Sequence, residues 1–286
     1  MYTTLPLAHR APLGGPPTPD RTEPAMSDLQ YIRVEWDREL AIVVIDRAEK
    51  LNALNADVVR ELGDVFRDLR DAADVLGVIL TGAGEKAFVA GADIAELAKM
   101  TPLTGVEVSR EGQRTLAEIE RFPKPVLAAV GGYALGGGCE LALACHLRVA
   151  SENARFGFPE VGLGIMPGYG GTVRIARIVG FGLAVEMVLT GAMVDAERAE
   201  RIGLVSAVYP QEELLDKAKA FLRGITKNGP IAVRMALESL HVAQDSASAN
   251  AASFESAVFG LLASTADMKE GLTAFLEKRK AVFKGE

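Results

Sequence analysis

Three short runs constrain this chain more than any others: Leu40-Ala-Ile-Val-Val-Ile45, Leu76-Gly-Val-Ile-Leu-Thr81 and Val126-Leu-Ala-Ala-Val130. Each is almost continuously apolar, too short for a buried helix, and bounded by turn residues or charges. They read as strands buried on both faces, so something must cover both sides of the sheet they form. The intervening segments supply the cover. After Asn55, an N-cap residue type, Val58, Leu62, Val65, Phe66 and Leu69 recur at helical spacing. Repeated strand and helix signals with mostly buried strands indicate an α/β core.

The remaining signals extend this pattern. Ile32-Arg-Val-Glu-Trp36 alternates apolar and polar residues and pairs with the 40–45 run through the turn Asp37-Arg-Glu39. Phe88 to Ile94 reads as a loop entering a helix, Ser109 to Arg121 as a helix, and His146 to Ala150 as a strand. Helices are expected near 172–179 and 182–190, after a Gly-rich loop at 162–171. Beyond about Val208 the strand signals stop. Four helical patterns follow, at 211–224, 230–243, 249–263 and 268–281, with Pro230 in the first turn of the second. Asp267 and Glu270 suggest a capping pair for the last. The expected organisation is therefore a disordered Pro/Gly-rich arm over 1–25, an α/β core over 26–209 and a helical region over 210–286. That helical region packs on the core or on a neighbouring subunit.

Bulk properties exclude several functions. The 286 residues are 49% hydrophobic and carry a net charge of −7, which argues against a general nucleic-acid binder. Two cysteines, Cys139 and Cys145, give neither metal spacing nor a disulfide framework, so no metal is expected and cytoplasm is the natural compartment. His9, His146 and His241 lie in the arm, at a strand start and on a C-terminal helix, so nucleophile chemistry with a histidine base is not supported. The GxG at Gly162-Leu-Gly lacks the strand-to-helix setting of a dinucleotide site.

The chemistry concentrates in Gly132-Tyr-Ala-Leu-Gly-Gly-Gly-Cys-Glu-Leu-Ala142. A helix starting near Gly136 would present unpaired N–H groups to a ligand oxygen. Glu140, three residues after Gly137, would lie on the same face. Together they would make an oxyanion hole with an acid/base group beside it. The alternative is a tight turn with close packing and Glu140 reaching solvent. Phe156-Gly-Phe-Pro-Glu160 adds a second acid in apolar surroundings, and two such acids can divide protonated and ionised roles.

These motifs closely resemble the crotonase (enoyl-CoA hydratase/isomerase) superfamily. The match includes Lys124-Pro-Val-Leu-Ala-Ala-Val-Gly131, Lys86-Ala-Phe-Val-Ala-Gly-Ala-Asp-Ile94, Pro167-Gly-Tyr-Gly-Gly-Thr172 and Ala274-Phe-Leu-Glu-Lys-Arg-Lys280, in the family's order from about Leu29 to Lys284. The resemblance implies a spiral of repeated ββα units with a helical C-terminal region, trimers or pairs of trimers, and an acyl-CoA thioester substrate with no separate cofactor. It implies that the Ala92 and Gly137 N–H groups hold the thioester oxygen. Two-glutamate members of the family are hydratases, which implies hydration of a trans-2-enoyl-CoA, with Glu160 giving the α-carbon proton and Glu140 activating water. Ala90, Asp93, Ile94 and Ala95 match the loop around CoA, and Lys50 the loop near its adenine. Lys278 matches a basic residue that reaches the CoA phosphates, its alternative being a solvated lysine. Gly171 matches a helix start that favours the charged form of the site. A Δ3,Δ2-enoyl-CoA isomerase and a noncatalytic acyl-CoA- or RNA-binding member of the fold remain the other readings. Phe158 and Val173 stand where glutamine is usual, and Tyr169 where a small residue is common. The first of these is expected to dry the surroundings of Glu160.

Overall fold

The computed structural model describes residues 29–286, so the reading of 1–25 as a disordered arm lies outside the described residues. The three apolar runs all form inner strands. A six-stranded sheet has the order β1 (Ile32–Asp37), β2 (Leu40–Ile45), β3 (Gly77–Gly82), β5 (Val126–Val130), β7 (Leu147–Ser151), β10 (Val208–Tyr209). Only β1 runs antiparallel to its neighbour. A second sheet has the order β4 (Ala87–Val89), β6 (Tyr133–Leu135), β8 (Arg155–Gly157), β9 (Val194–Asp195).

The two sheets grow together. After β3 the chain lays β4 into the second sheet, after β5 it lays β6, and after β7 it lays β8. Each pair is followed by helix: α2 (Ile94–Leu97) and α3 (Pro102–Glu120), then α4 (Gly137–Ala144), then α5 (Gly171–Val179) and α6 (Phe181–Thr190). Three successive turns of this path build the expected ββα spiral. The short strands β4 and β6 carry little sequence signal, and Phe88 belongs to β4 rather than to a loop.

Strand alternation explains why β2, β3 and β5 are apolar throughout. Ala41, Val43, Ile45, Val78, Leu80, Val126, Ala128 and Val130 face the main core with α1 (Ala56–Asp71) and α4. Leu40, Ile42, Val44, Ile79, Leu127 and Ala129 face the other way. There Leu214, Ala218 and Leu222, at helical spacing on α8 (Leu214–Thr226), complete a second core. Asn55 caps α1 by accepting from the Val58 N–H at 2.9 Å. Buried Glu61 accepts from the N–H groups of Gln30, Tyr31 and Ile32, fixing where β1 begins against α1.

Between β9 and β10 lies a helix the sequence pattern does not announce, α7 (Ala196–Arg201), capped by Asp195. Helix α3 begins seven residues before the expected Ser109, because Thr101 and Thr104 form a capping box and Pro102 occupies the first turn. The C-terminal helices are α8, α9 (Pro230–Asp245), α10 (Ser248–Leu262) and α11 (Ala266–Leu276). The last corrects the expected 268–281 helix and its cap. Thr265 is the N-cap, accepting from the Met268 N–H at 3.1 Å. Asp267 instead accepts from Lys284 and Gly285, while Glu270 accepts from Arg279 and the Val282 N–H. These bonds fold the chain back, and Lys278 takes a left-handed φ of 56° that ends helical continuation. Phe259, Phe275 and Leu276 on α10 and α11 are about four-fifths exposed. Among the described residues, no helix is long and apolar enough to cross a membrane.

Candidate active site

The Gly-rich run performs two jobs in sequence. Gly136 takes φ 50° and turns the chain from β6 into α4. A Cβ there would lie 2.8 Å from Oε1 of Glu160, so only glycine lets that carboxyl approach. Gly137 then opens α4, and as the first helical residue its N–H has no acceptor within the helix. At the other end, buried Arg148 donates to the Cys145 and Leu204 carbonyls, at 2.8 Å each, and satisfies the end of α4.

The second amide comes from the loop between β4 and α2. Here Leu54 pairs with Ala92 as an isolated parallel bridge: the Leu54 N–H donates to Gly91 O and the Asp93 N–H donates to Leu54 O, both at 2.8 Å. In that pattern residue 92 turns its own N–H to the opposite edge. Ala92 and Gly137 both line one cavity of about 410 Å³. Ala90, Ile94, Glu140, Glu160 and Tyr169 line it too, with Leu97, Met100, Val108, Ile165 and Met166 supplying apolar wall.

The two acids meet different surroundings. Glu140 is buried on α4, and its Oε1 accepts from the N–H groups of Tyr169 at 2.8 Å and Gly171 at 2.7 Å. It therefore sits at the N-terminus of α5 rather than at that of its own helix. Burial pushes its carboxyl above the usual range, and the two N–H donors, with Arg174 beyond them, pull against that shift. Glu160, in the turn Pro159–Leu163, is buried as well, and its Oε2 has no protein hydrogen-bond partner. Burial first, and the neighbouring Glu140 charge after it, push its carboxyl up to about 7. One acid is thus solvated by backbone dipoles, and the other is held near neutrality in its protonation.

The structure brings Glu140, Glu160, Ala92, Gly137, Ala90 and Ile94 together, with Gly171 directly behind Glu140. Asp93 and Ala95 lie in the same loop but serve it structurally. Asp93 caps α2 through the Ala95 N–H and pairs with Arg47 at 3.0 Å. Lys50 is exposed at the end of a 3-10 turn, and Lys278 is exposed beyond α11; neither lines the cavity. The Phe158 ring also approaches Glu140, because a Cβ added at Gly171 would meet both the ring and the Glu140 side chain.

Other titratable groups are silent. Burial pushes the Cys145 thiol up to about 12 and Cys139 higher still. Burial holds His146 down at about 4, with its Nδ1 accepting from the Val126 N–H. Sequence reasoning missed Ser109, Gln113 and Arg174. Ser109 Oγ donates to Gly168 O at 2.6 Å and Gln113 Nε2 at 3.0 Å, while Arg174 donates to Tyr169 O at 2.8 Å and pairs with Glu120 at 2.7 Å. Ser109 and Gln113 lie one turn apart on α3, a polar pair that was the available signal, whereas Arg174 lies on α5.

Known proteins resemble this chain over most of its length. Residues 35–286 match the enoyl-CoA hydratase/isomerase family model. The chain is 45% identical to the short-chain-enoyl-CoA hydratase of Clostridium acetobutylicum, over 88% of this chain and 97% of that one. It is also 45% identical to the crotonyl-CoA hydratase of Syntrophomonas wolfei, over 89% and 98%. The crystal structure of an enoyl-CoA hydratase from Bacillus anthracis superposes with a TM-score of 0.87 at 39% identity, covering 90% of this chain and all of that one. The chain belongs to the enoyl-CoA hydratase/isomerase family and has the crotonase fold.

Proposed function

We propose that this chain is an enoyl-CoA hydratase, adding water reversibly and syn across the double bond of a trans-2-enoyl-CoA to give the 3-hydroxyacyl-CoA. One observation carries the proposal: a cavity lined by Ala92 and Gly137, whose N–H groups have no acceptor in the local bridge or helix, also holds two buried carboxyls in different hydrogen-bonding states. The thioester oxygen takes the Ala92 and Gly137 N–H groups. They polarise the conjugated carbonyl and stabilise the enolate-like charge that forms, each worth about 3–4 kcal/mol to turnover. Glu140, ionised, accepts a proton from water as it attacks the β-carbon. Glu160, protonated, delivers a proton to the α-carbon. Dehydration runs the same groups in the opposite protonation states.

The apolar wall and the names of the relatives favour a short enoyl chain, with Tyr169 lying across the cavity. The CoA moiety follows the loop of Ala90, Asp93, Ile94 and Ala95, and Lys50 and Lys278 are its candidate cationic contacts. The exposed apolar surface of α10 and α11 favours self-association as a homotrimer or a pair of trimers. The region before residue 210 then holds the site, and the helices after it serve assembly. No cofactor beyond the CoA of the substrate has a role here.

The test is loss of enoyl-thioester absorbance with crotonyl-CoA, with double-bond migration scored separately. Glu140→Gln and Glu160→Gln should each lower hydration at least ~100-fold. Near-normal turnover in either would remove that acid from the mechanism. Migration without hydration in the wild type would assign the isomerase reaction instead.

A further inference from the structure

The Glu140 carboxylate receives two backbone N–H bonds, and the two peptides that supply them are backed differently. The Gly170–Gly171 peptide is backed by its own helix: Gly170 O accepts from the Arg174 N–H, and the Gly171 N–H donates to Glu140. The Gly168–Tyr169 peptide precedes α5 and has no such support. Its carbonyl is instead met by α3, where Ser109 Oγ donates at 2.6 Å and Gln113 Nε2 at 3.0 Å. Gln113 Nε2 also lies 3.1 Å from Ser109 Oγ. On the other side of that trans peptide, the Tyr169 N–H donates to Glu140 Oε1 at 2.8 Å.

We propose that Ser109 and Gln113 are positioning residues for Glu140, holding and polarising the Gly168–Tyr169 peptide so that its N–H stays aimed at the carboxylate. A peptide whose carbonyl accepts bonds becomes a better N–H donor, and bonds chained this way strengthen one another. The chain also fixes direction. A planar peptide bonded at both ends cannot rotate its N–H away without breaking the bonds at its carbonyl. Arg174 holds the next carbonyl, Tyr169 O, and is itself gripped by Glu120 of α3. Helix α3 thus braces the glycine loop at two consecutive peptides, one through each of two polar stations a few turns apart.

The titratable and charged groups facing Glu140 are Glu160 from the following turn, Tyr169 from the loop, Arg174 from α5 and Cys139 on α4. None is altered by substitutions at 109 and 113, so a change in Glu140 titration would report on the brace. In the hydration direction an ionised Glu140 is required, and its protonation sets the acid limb of the kcat/KM profile. Removing the brace weakens a donor to the charged form, so the limb should move to higher pH.

The experiment compares wild type, Ser109→Ala with Gln113→Leu, and Ser109→Thr. The double variant is expected to raise the acid limb by about one pH unit, a roughly tenfold loss of kcat/KM below the limb that recovers above it. Ser109→Thr, which keeps the hydroxyl, is expected to retain the wild-type limb. In parallel, a carboxyl 13C titration of glutamate-labelled protein follows Glu140 directly, its resonance assigned by loss in Glu140→Gln. An upward midpoint in the double variant supports the proposal. A pH-independent loss with an unmoved midpoint overturns it, as does a Ser109→Thr shift equal to that of the double variant. The inference rests on the hydratase reading only for its kinetic arm. If the midpoint moves but no variant hydrates, that reading fails alone. If hydration requires Glu140 but neither limb nor midpoint moves, the brace fails alone.

Discussion

Gly171 offers the sharpest perturbation of the acid pair. It opens α5, and its N–H donates to Glu140 at 2.7 Å. A Cβ added at this position would sit 2.7 Å from Cγ of Glu140, 2.8 Å from its Oε1 and 3.0 Å from Cε1 of Phe158. Carbon contacts relax to about 3.5–4.0 Å, so the Glu140 side chain must retreat by the better part of an ångström. A 2.7 Å bond does not survive such a shift. Losing one bond to a charged group costs about 1.5–3 kcal/mol. If that cost falls on the base in the transition state, Gly171→Ala should lower kcat for crotonyl-CoA hydration roughly 10- to 150-fold. The control is Gly182→Ala on α6, where an added Cβ meets nothing within 4 Å and should raise helix stability slightly. Both variants are to be compared by steady-state kinetics and thermal unfolding. Turnover in folded Gly171→Ala within about threefold of wild type would refute the assignment of Glu140 as a precisely held base, on the same rate scale.

Glu160 near 7 gives a second expectation: it must be protonated to donate in hydration, so kcat/KM for hydration should fall as pH rises through about 7. In Glu160→Asp, whose shorter carboxyl meets different burial, that alkaline limb should move; an unchanged limb would point to another group. Tyr169→Ala should shift preference toward longer enoyl chains, because the ring lies between Gly112 of α3 and Gly137 and forms cavity wall. The same substitution should cost about 3–5 kcal/mol of stability, and kcat/KM across chain lengths with a denaturant melt reads both. Asn55→Ala should cost about 1 kcal/mol in that melt and leave kinetics unchanged, since the residue only caps α1.

How far the sequence could be read depended on whether a feature was local. Buried strands β2, β3 and β5 announced themselves because both faces are covered, and α1 because Asn55 and its apolar stripe lie within one segment. Strands β4, β6 and β9 span only two or three residues, and their pairing is set by neighbours distant in sequence. The end of α11 was hidden for the same reason. Asp267 and Glu270 bond residues at 279–285, and no helical period records that fold-back. In the site, the glycines and both glutamates were legible as types. The partners of Glu140 were not: sequence spacing placed it over its own helix start, whereas its carboxylate reaches across to α5.

That crossing explains how two acids share one small cavity without sharing one titration behaviour. Placed beside each other in a dry site, two carboxyls ordinarily disfavour double ionisation, and which one keeps the proton is then undetermined. Here the backbone breaks the tie. Glu140 reaches the N-terminus of α5, where two N–H groups converge on a single oxygen, whereas Glu160 occupies the space that a side chain at Gly136 would need and leaves Oε2 unbonded. The amides favour charge on Glu140, and no such donor reaches Glu160 Oε2. The asymmetry is built from peptide orientation, with the Arg174 charge beyond the loop acting in the same direction. Exclusion of water would raise both carboxyls, yet the difference between them is carried by bonds that the substrate does not touch.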